Sequence, residues 1–152
     1  MQAARTVVLS VAVAGIAAAV TPGIGVAAAA CTPTVAPADE ARLAQLIDAQ
    51  RRAVPVTDVA RLPALKRVGR AKSLDMASGG AFSHASGMSW AGGHSAGQNI
   101  AMAPSAVVAF RAMLNSPPHR RNMLAPGWRF GGVGAARDCA GQIYFTVNFL
   151  GP

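Results

Sequence analysis

The tightest constraint on the fold lies at the end of the chain. From Ile143 to Phe149, the apolar residues Ile143, Phe145, Val147 and Phe149 alternate with Tyr144, Thr146 and Asn148. A period of two is the mark of a β-strand with one face in a core and the other toward water. The glycine-containing stretch Phe130-Gly131-Gly132-Val133-Gly134 reads as the preceding strand, and Asp138 to Gly141 carries turn chemistry between them. The chain therefore ends in an antiparallel hairpin with one buried face.

Helical patterns stand upstream of it. Asp39 is placed to cap a helix running to about Arg52, with Leu43, Leu46, Ile47 and Gln50 on one face and Arg42, Arg51 and Arg52 in water. Pro63 opens a second helix to about Ala77, in which Leu65, Val68 and Ala71 pack while Arg67, Arg70 and Lys72 are solvated. A glycine- and serine-rich loop runs from Ala85 to Gly97, and Gln98 to Met102 is a short extended segment. Pro104-Ser105 starts a third helix carrying Val107, Phe110 and Leu114, which leads into Asn115-Ser116-Pro117-Pro118-His119. There Ser116 is expected to cap a further helix through its hydroxyl, with Pro117 at the first helical position. His119 falls on the first turn, where the helix dipole favours a neutral ring. Helices before and between strands, with a final hairpin, argue for an α+β domain, a layered α-β-α sandwich.

The first thirty residues fall outside that domain. Arg5 precedes the uncharged apolar run Val7 to Val20, Thr21-Pro22-Gly23 breaks it, and small residues follow to Ala30. This is the order of a secretory signal peptide over 1–30. A spanning helix over Val7 to Ala30 is the alternative, disfavoured by its proline and glycines. A lead over 31–39 and one domain over 40–151 remain, with no later apolar segment long enough to span a membrane. The product is expected outside the cell, as a monomer. Cys31 and Cys139 are the two cysteines, and in an exported chain they suggest one disulfide. The rival is a lipid anchor on Cys31, although Ala28 stands where such anchors usually have an aliphatic residue and Cys139 would be left over.

The formal net charge is +8, and of the bases only Arg5 lies in the leader, so the domain itself is strongly basic. That balance suits anionic surfaces such as acidic wall polymers or lipid headgroups. No interleaving of aromatic and basic residues points to nucleic acid. Gly93-His94-Ser95-Ala96-Gly97 fits the serine-hydrolase elbow pattern, but the preceding Ser89-Trp90-Ala91-Gly92 is a poor strand and only Asp138 remains as a later acid. From Met76 to Arg137 there is no Asp or Glu, while all three histidines, His84, His94 and His119, lie in that interval. A two-carboxylate glycosidase is disfavoured on that ground, and Asp75 is the only nearby acid in sequence.

Five motifs stand in order: Phe82-Ser83-His84, Gly97-Gln98-Asn99-Ile100, Asn115 to Leu124, Gly132-Val133-Gly134 and Tyr144 to Phe149. In this arrangement the chain closely resembles the bacterial CAP (SCP/PR1-like) domain. The resemblance implies an α-β-α sandwich whose cleft holds two histidines and two glutamates, a set that takes up a divalent metal in some members. Its histidines correspond to His84 and His119, one glutamate falls on Gln98, and the other falls near Ser116, where no acid stands. Two imidazoles and an amide make a weak zinc site at best, so no cofactor is expected, and His84 and His119 are the metal ligands only if one binds. His94 has no counterpart in that set; Met113, Trp90 and Trp128 read as packing residues, and Trp90 would contact an apolar ligand only if exposed at the cleft mouth. The expectation is a secreted, non-enzymatic module that binds a lipid or wall polymer in a cleft of His84, Gln98, Ser116 and His119. A metal-dependent hydrolase and a purely structural envelope protein are the alternatives.

Overall fold

The computed structural model describes residues 31–152. The expected leader over 1–30 lies outside the described residues. The alternating stretch forms β5 (Ile143–Leu150), which pairs on one side with β4 (Phe130–Arg137) and on the other with β3 (Ala96–Ala103), both antiparallel. Two short strands flank the outer edge of β4. β1 (Thr34–Val35) runs antiparallel to its end, and β2 (Ala60–Arg61) runs parallel to its start. The expected lead therefore belongs to the sheet.

One face of the sheet carries the main core. Phe145, Val147, Phe149, Val133 and Ala135 pack against Leu43 and Ile47 of α1 (Pro37–Arg52) and against Ala106, Ala109 and Met113 of α3 (Ala106–Asn115). Ser105 caps α3 by accepting a hydrogen bond from the Val108 N–H. The short α4 (Pro117–Met123) closes this layer with Met123 fully buried.

The opposite face is also covered, which corrects the expectation of a hairpin with one buried face. Thr146 and Asn148 are as buried as their apolar neighbours. They face α2 (Pro63–Ala77), which lies directly on β4 and β5. The contact is unusually close. A Cβ added to Gly69 would stand 2.8 Å from the Gly134 amide nitrogen, and one added to Gly134 would collide with the backbone of Gly69 and Arg70. Backbone approaches backbone here because neither residue has a side chain. The buried stripe of α2 is thus Leu65, Gly69, Ser73 and Met76, whereas Ala71, expected inside, is exposed. The apolar pattern misplaced this face because Gly69 and Ser73 at its centre are not apolar side chains. The outer layer is completed by hydrogen bonds from the Ser73 hydroxyl to Gly134 O (3.2 Å) and to the Thr146 hydroxyl (2.9 Å).

Three further expectations are corrected. Helix α1 begins at Pro37, with Ala36 at the cap position, and not at an Asp39 cap. Arg51 is fully buried instead of solvated; its guanidinium donates to Met123 O (2.8 Å) and Ala125 O (3.0 Å) at the end of α4 and to Thr57 O (2.6 Å) in the segment after α1. Arg70 is no free cation, because it makes a two-pronged contact to Glu40, with both bonds at 2.7 Å. Cys31 and Cys139 form a disulfide with their Cα atoms 5.8 Å apart, which resolves the choice left open at Cys31. Among the described residues, no helix is long and apolar enough to cross a membrane.

Candidate functional site

Strand β3 is the free edge of the sheet beside α4, and its residues alternate between the two faces. Gln98 pairs in register with Asn148 of β5 on the α2 side, and its amide nitrogen donates to Asn148 Oδ1 at 2.9 Å. Asn148 in turn donates to Leu65 O at 3.1 Å. The Gln98 carbonyl accepts from the Ala85 N–H at 2.9 Å, which fixes the orientation of the amide. His84 Nδ1 lies 3.2 Å from the same oxygen. An amide oxygen only accepts, so Nδ1 carries the proton and a neutral His84 leaves Nε2 as a bare acceptor. His84 is otherwise exposed, so this nitrogen is open to a ligand.

On the other side of β3, Asn99 and Asn122 hold α4 in place. Asn99 donates to His119 O (2.9 Å) and accepts from Asn122 (2.9 Å), while Trp128 donates to Asn122 O (2.6 Å) and stacks on Phe149. Asn99, Asn122 and Asn148 lay inside the quoted motifs, but their roles were not read from sequence; a buried Asn facing an Asn or Gln across a strand pair is the signal that was available. His119 is partly buried. Burial, and after it the repulsion of the nearby His84 ring, holds its imidazole below the ordinary value. The direction expected from the helix start is present, but the leading cause is desolvation. Ser116 occupies the cap position of α4 without a side-chain capping bond, contrary to expectation.

An open apolar groove of about 340 Å³ adjoins these groups. Phe82, Ile100, Met102 and Ala112 supply its walls, and Ser116 and His119 its polar end. Phe82 and Met102 are 54% and 53% exposed, high for side chains of their size. Phe82 also meets the Tyr144 ring, centroids 6.3 Å apart.

The donor set does not fit a divalent metal. Among the described residues, no three His, Cys, Asp or Glu side chains come together. The Gln98 oxygen already accepts two hydrogen bonds, and Asp75 pairs with Lys72 at 3.0 Å. The elbow reading of Gly93 to Gly97 also fails. Ser95 sits between a short 3-10 segment (Ser86–Ala91) and the start of β3, with its backbone tied to Gly151 and Pro152. His94 is exposed in the same loop, and Trp90 is half-buried.

Comparison with known proteins follows the same lines. A family model described as the cysteine-rich secretory protein family, CAP, matches residues 44–149. No curated protein matches the chain. Among solved structures, an extracellular SCP-domain protein of Bacillus anthracis superposes with a TM-score of 0.67 at 26% identity, over 76% of this chain and 41% of its own. An outer surface protein of Borrelia burgdorferi has the same fold at 15% identity, with a TM-score of 0.67 over 75% of this chain and 92% of its own. A cysteine-rich secretory protein of Staphylococcus aureus matches at 17% identity, with a TM-score of 0.63 over 76% of this chain and 39% of its own. This chain thus spans less than half the length of the Bacillus and Staphylococcus proteins.

Proposed function

Because the chain belongs to the cysteine-rich secretory protein (CAP) family, we propose that it acts at the cell envelope as a binding module, not an enzyme. The observation that carries this reading is the chemistry of the cleft. His119 and Ser116 line an exposed apolar groove, the hydrogen-bonded chain His84–Gln98–Asn148 stands on the same strand edge, and Asp75 is committed to Lys72. Such a set accepts and donates hydrogen bonds but supplies neither the paired carboxylates nor the ligand shell that hydrolysis uses. It suits an amphiphile with its apolar part along Phe82 and Met102 and its polar end between His119 and Ser116. The extracellular description of the Bacillus relative supports an exported location.

The test uses a naturally fluorescent polyene fatty acid as probe. Saturable binding to the protein, weakened about tenfold or more by Phe82→Ser, is expected, since that change removes a large apolar contact. Absence of binding, together with hydrolysis of a wall-derived or peptide substrate that depends on His84 and His119, would replace this reading with the hydrolase.

A further inference from the structure

A second concave site lies at the opposite edge of the sheet. The outer edge of β4 is only partly paired: β1 covers Ala136 and Arg137, β2 covers Phe130 and Gly131, and the middle is left between them. Odd-numbered residues of β4 turn their backbone groups outward here. Gly131 O accepts from the Leu62 N–H, Ala135 O accepts from the Ala36 N–H at 2.9 Å, and the Ala135 N–H donates to Glu40 at 3.2 Å. Alternation along an antiparallel strand places the N–H and C=O of Val133 on the same edge, and among the described residues neither has a partner. A buried strand residue with both groups unpaired is rare.

Val133 opens onto a groove of about 270 Å³ between α1 and the start of α2. Ala41, Ala44, Leu62 and Pro63 give it apolar walls, and Lys66 and Arg61 stand at its rim, 44% and 39% exposed, Lys66 paired with Glu40 and Arg61 with Asp48 and the Ala44 carbonyl. The only acid in it, Glu40, is already engaged by Arg70, Lys66 and the Ala135 N–H. The volume lies just under the usual range for small-molecule pockets, about 300–1,000 Å³, which favours a ligand of dipeptide size over a long acyl chain.

We infer that this groove binds the carboxy-terminal end of a short extended peptide. One peptide unit pairs with Val133 as an added strand residue, a small side chain lies against Ala41 and Pro63, and the terminal carboxylate meets Lys66 and Arg61. The pairing follows the logic of strand addition at an open sheet edge. The site is separate from the histidine cleft, so it stands or falls independently of the reading given for that cleft.

The experiment is a titration of the full-length protein with N-acetyl-alanyl-alanine, followed by backbone amide NMR and amide hydrogen exchange. In the free protein the Val133 amide exchanges faster than those of Gly132 and Gly134. The peptide shifts its resonance and slows its exchange. The peptide with an amidated carboxyl end binds about tenfold more weakly, through loss of the charged contact. Ala41→Phe, which fills the groove from the exposed side of α1, abolishes the shift. The proposal is overturned by no response of Val133 at millimolar peptide, by equal binding of acid and amide, or by a shift that survives Ala41→Phe. A Val133 amide already protected in a protein that sediments as a dimer also overturns it, since a second copy then occupies the edge. The titration of the unmodified protein decides the matter even if Ala41→Phe fails to fold.

Discussion

The two faces of β5 reach the same burial by different means. Toward α1 and α3, Ile143, Phe145, Val147 and Phe149 fill space with side-chain volume. Toward α2, Thr146 and Asn148 are just as inaccessible, yet the fit comes from missing side chains at Gly69 and Gly134 and from hydrogen bonds by Ser73, Gln98 and Leu65. The first face tolerates exchange among apolar residues of similar volume; the second tolerates almost no added atom. Polar groups buried under α2 continue through Asn148 and Gln98 to His84, so the less apolar face is the one wired to the cleft.

That contrast can be broken by experiment. Phe145→Ala is expected to cost the most, about 3–5 kcal/mol in urea unfolding, as a large cavity in the apolar layer. Gly134→Ala adds a single carbon and is still expected to cost about 2–3 kcal/mol, because the new atom meets helix backbone that cannot swing aside. A loss under about 0.5 kcal/mol would mean that α2 shifts freely and that the two faces do not differ as described. Thr146→Val should cost about 1 kcal/mol, and Ser73→Ala combined with it less than the sum of the two single changes, because neither variant group is then left seeking a partner. Additive costs in that cycle would remove the hydrogen-bonded account of the outer face.

The seam between the layers gives a pH dependence. Burial alone would raise the pKa of Glu40, but the Arg70 hydrogen bonds, the Ala135 N–H and Lys66 outweigh it and hold the carboxyl below its ordinary value. A lowered carboxyl pKa stabilises the fold above the unfolded-state value and loses that contribution as pH falls through the folded one. Melting temperature should therefore drop on acidification below about pH 4.3, more steeply in the native protein than in Glu40→Gln. His119 adds a smaller effect of the same sign. Its lowered pKa means that the unfolded chain takes up the proton first, so stability declines as pH falls below about 6.5 and levels off beneath the folded value. In His119→Ala that shallow step should be absent.

Much of this was readable from residues alone. The period of β5, the starts of α2 and α4 at Pro63 and Pro117, and the burial of Leu43, Ile47 and Met113 follow from pattern and proline chemistry. What escaped were contacts whose partners are distant in sequence. Arg51 looks like a surface cation until the carbonyls of Met123 and Ala125 arrive beside it, and Gly69 looks like a weak point in a helix until Gly134 is packed on it. At the cleft, His84 and His119 follow from the resemblance of their motifs to the CAP domain. The tautomer of His84 depends on the orientation of Gln98, which only the Ala85 N–H reveals.

The disulfide between Cys31 and Cys139 spans 108 positions. It turns nearly the whole described chain into a covalent ring that encloses both grooves and the exposed loop around Gly92, Gly93 and His94. A protease that cuts this loop opens the ring but releases no fragment. The nicked protein would keep its two halves joined and in register until a reductant reached the cystine, so the cut is survivable where the same cut in a linear chain would let the halves diffuse apart.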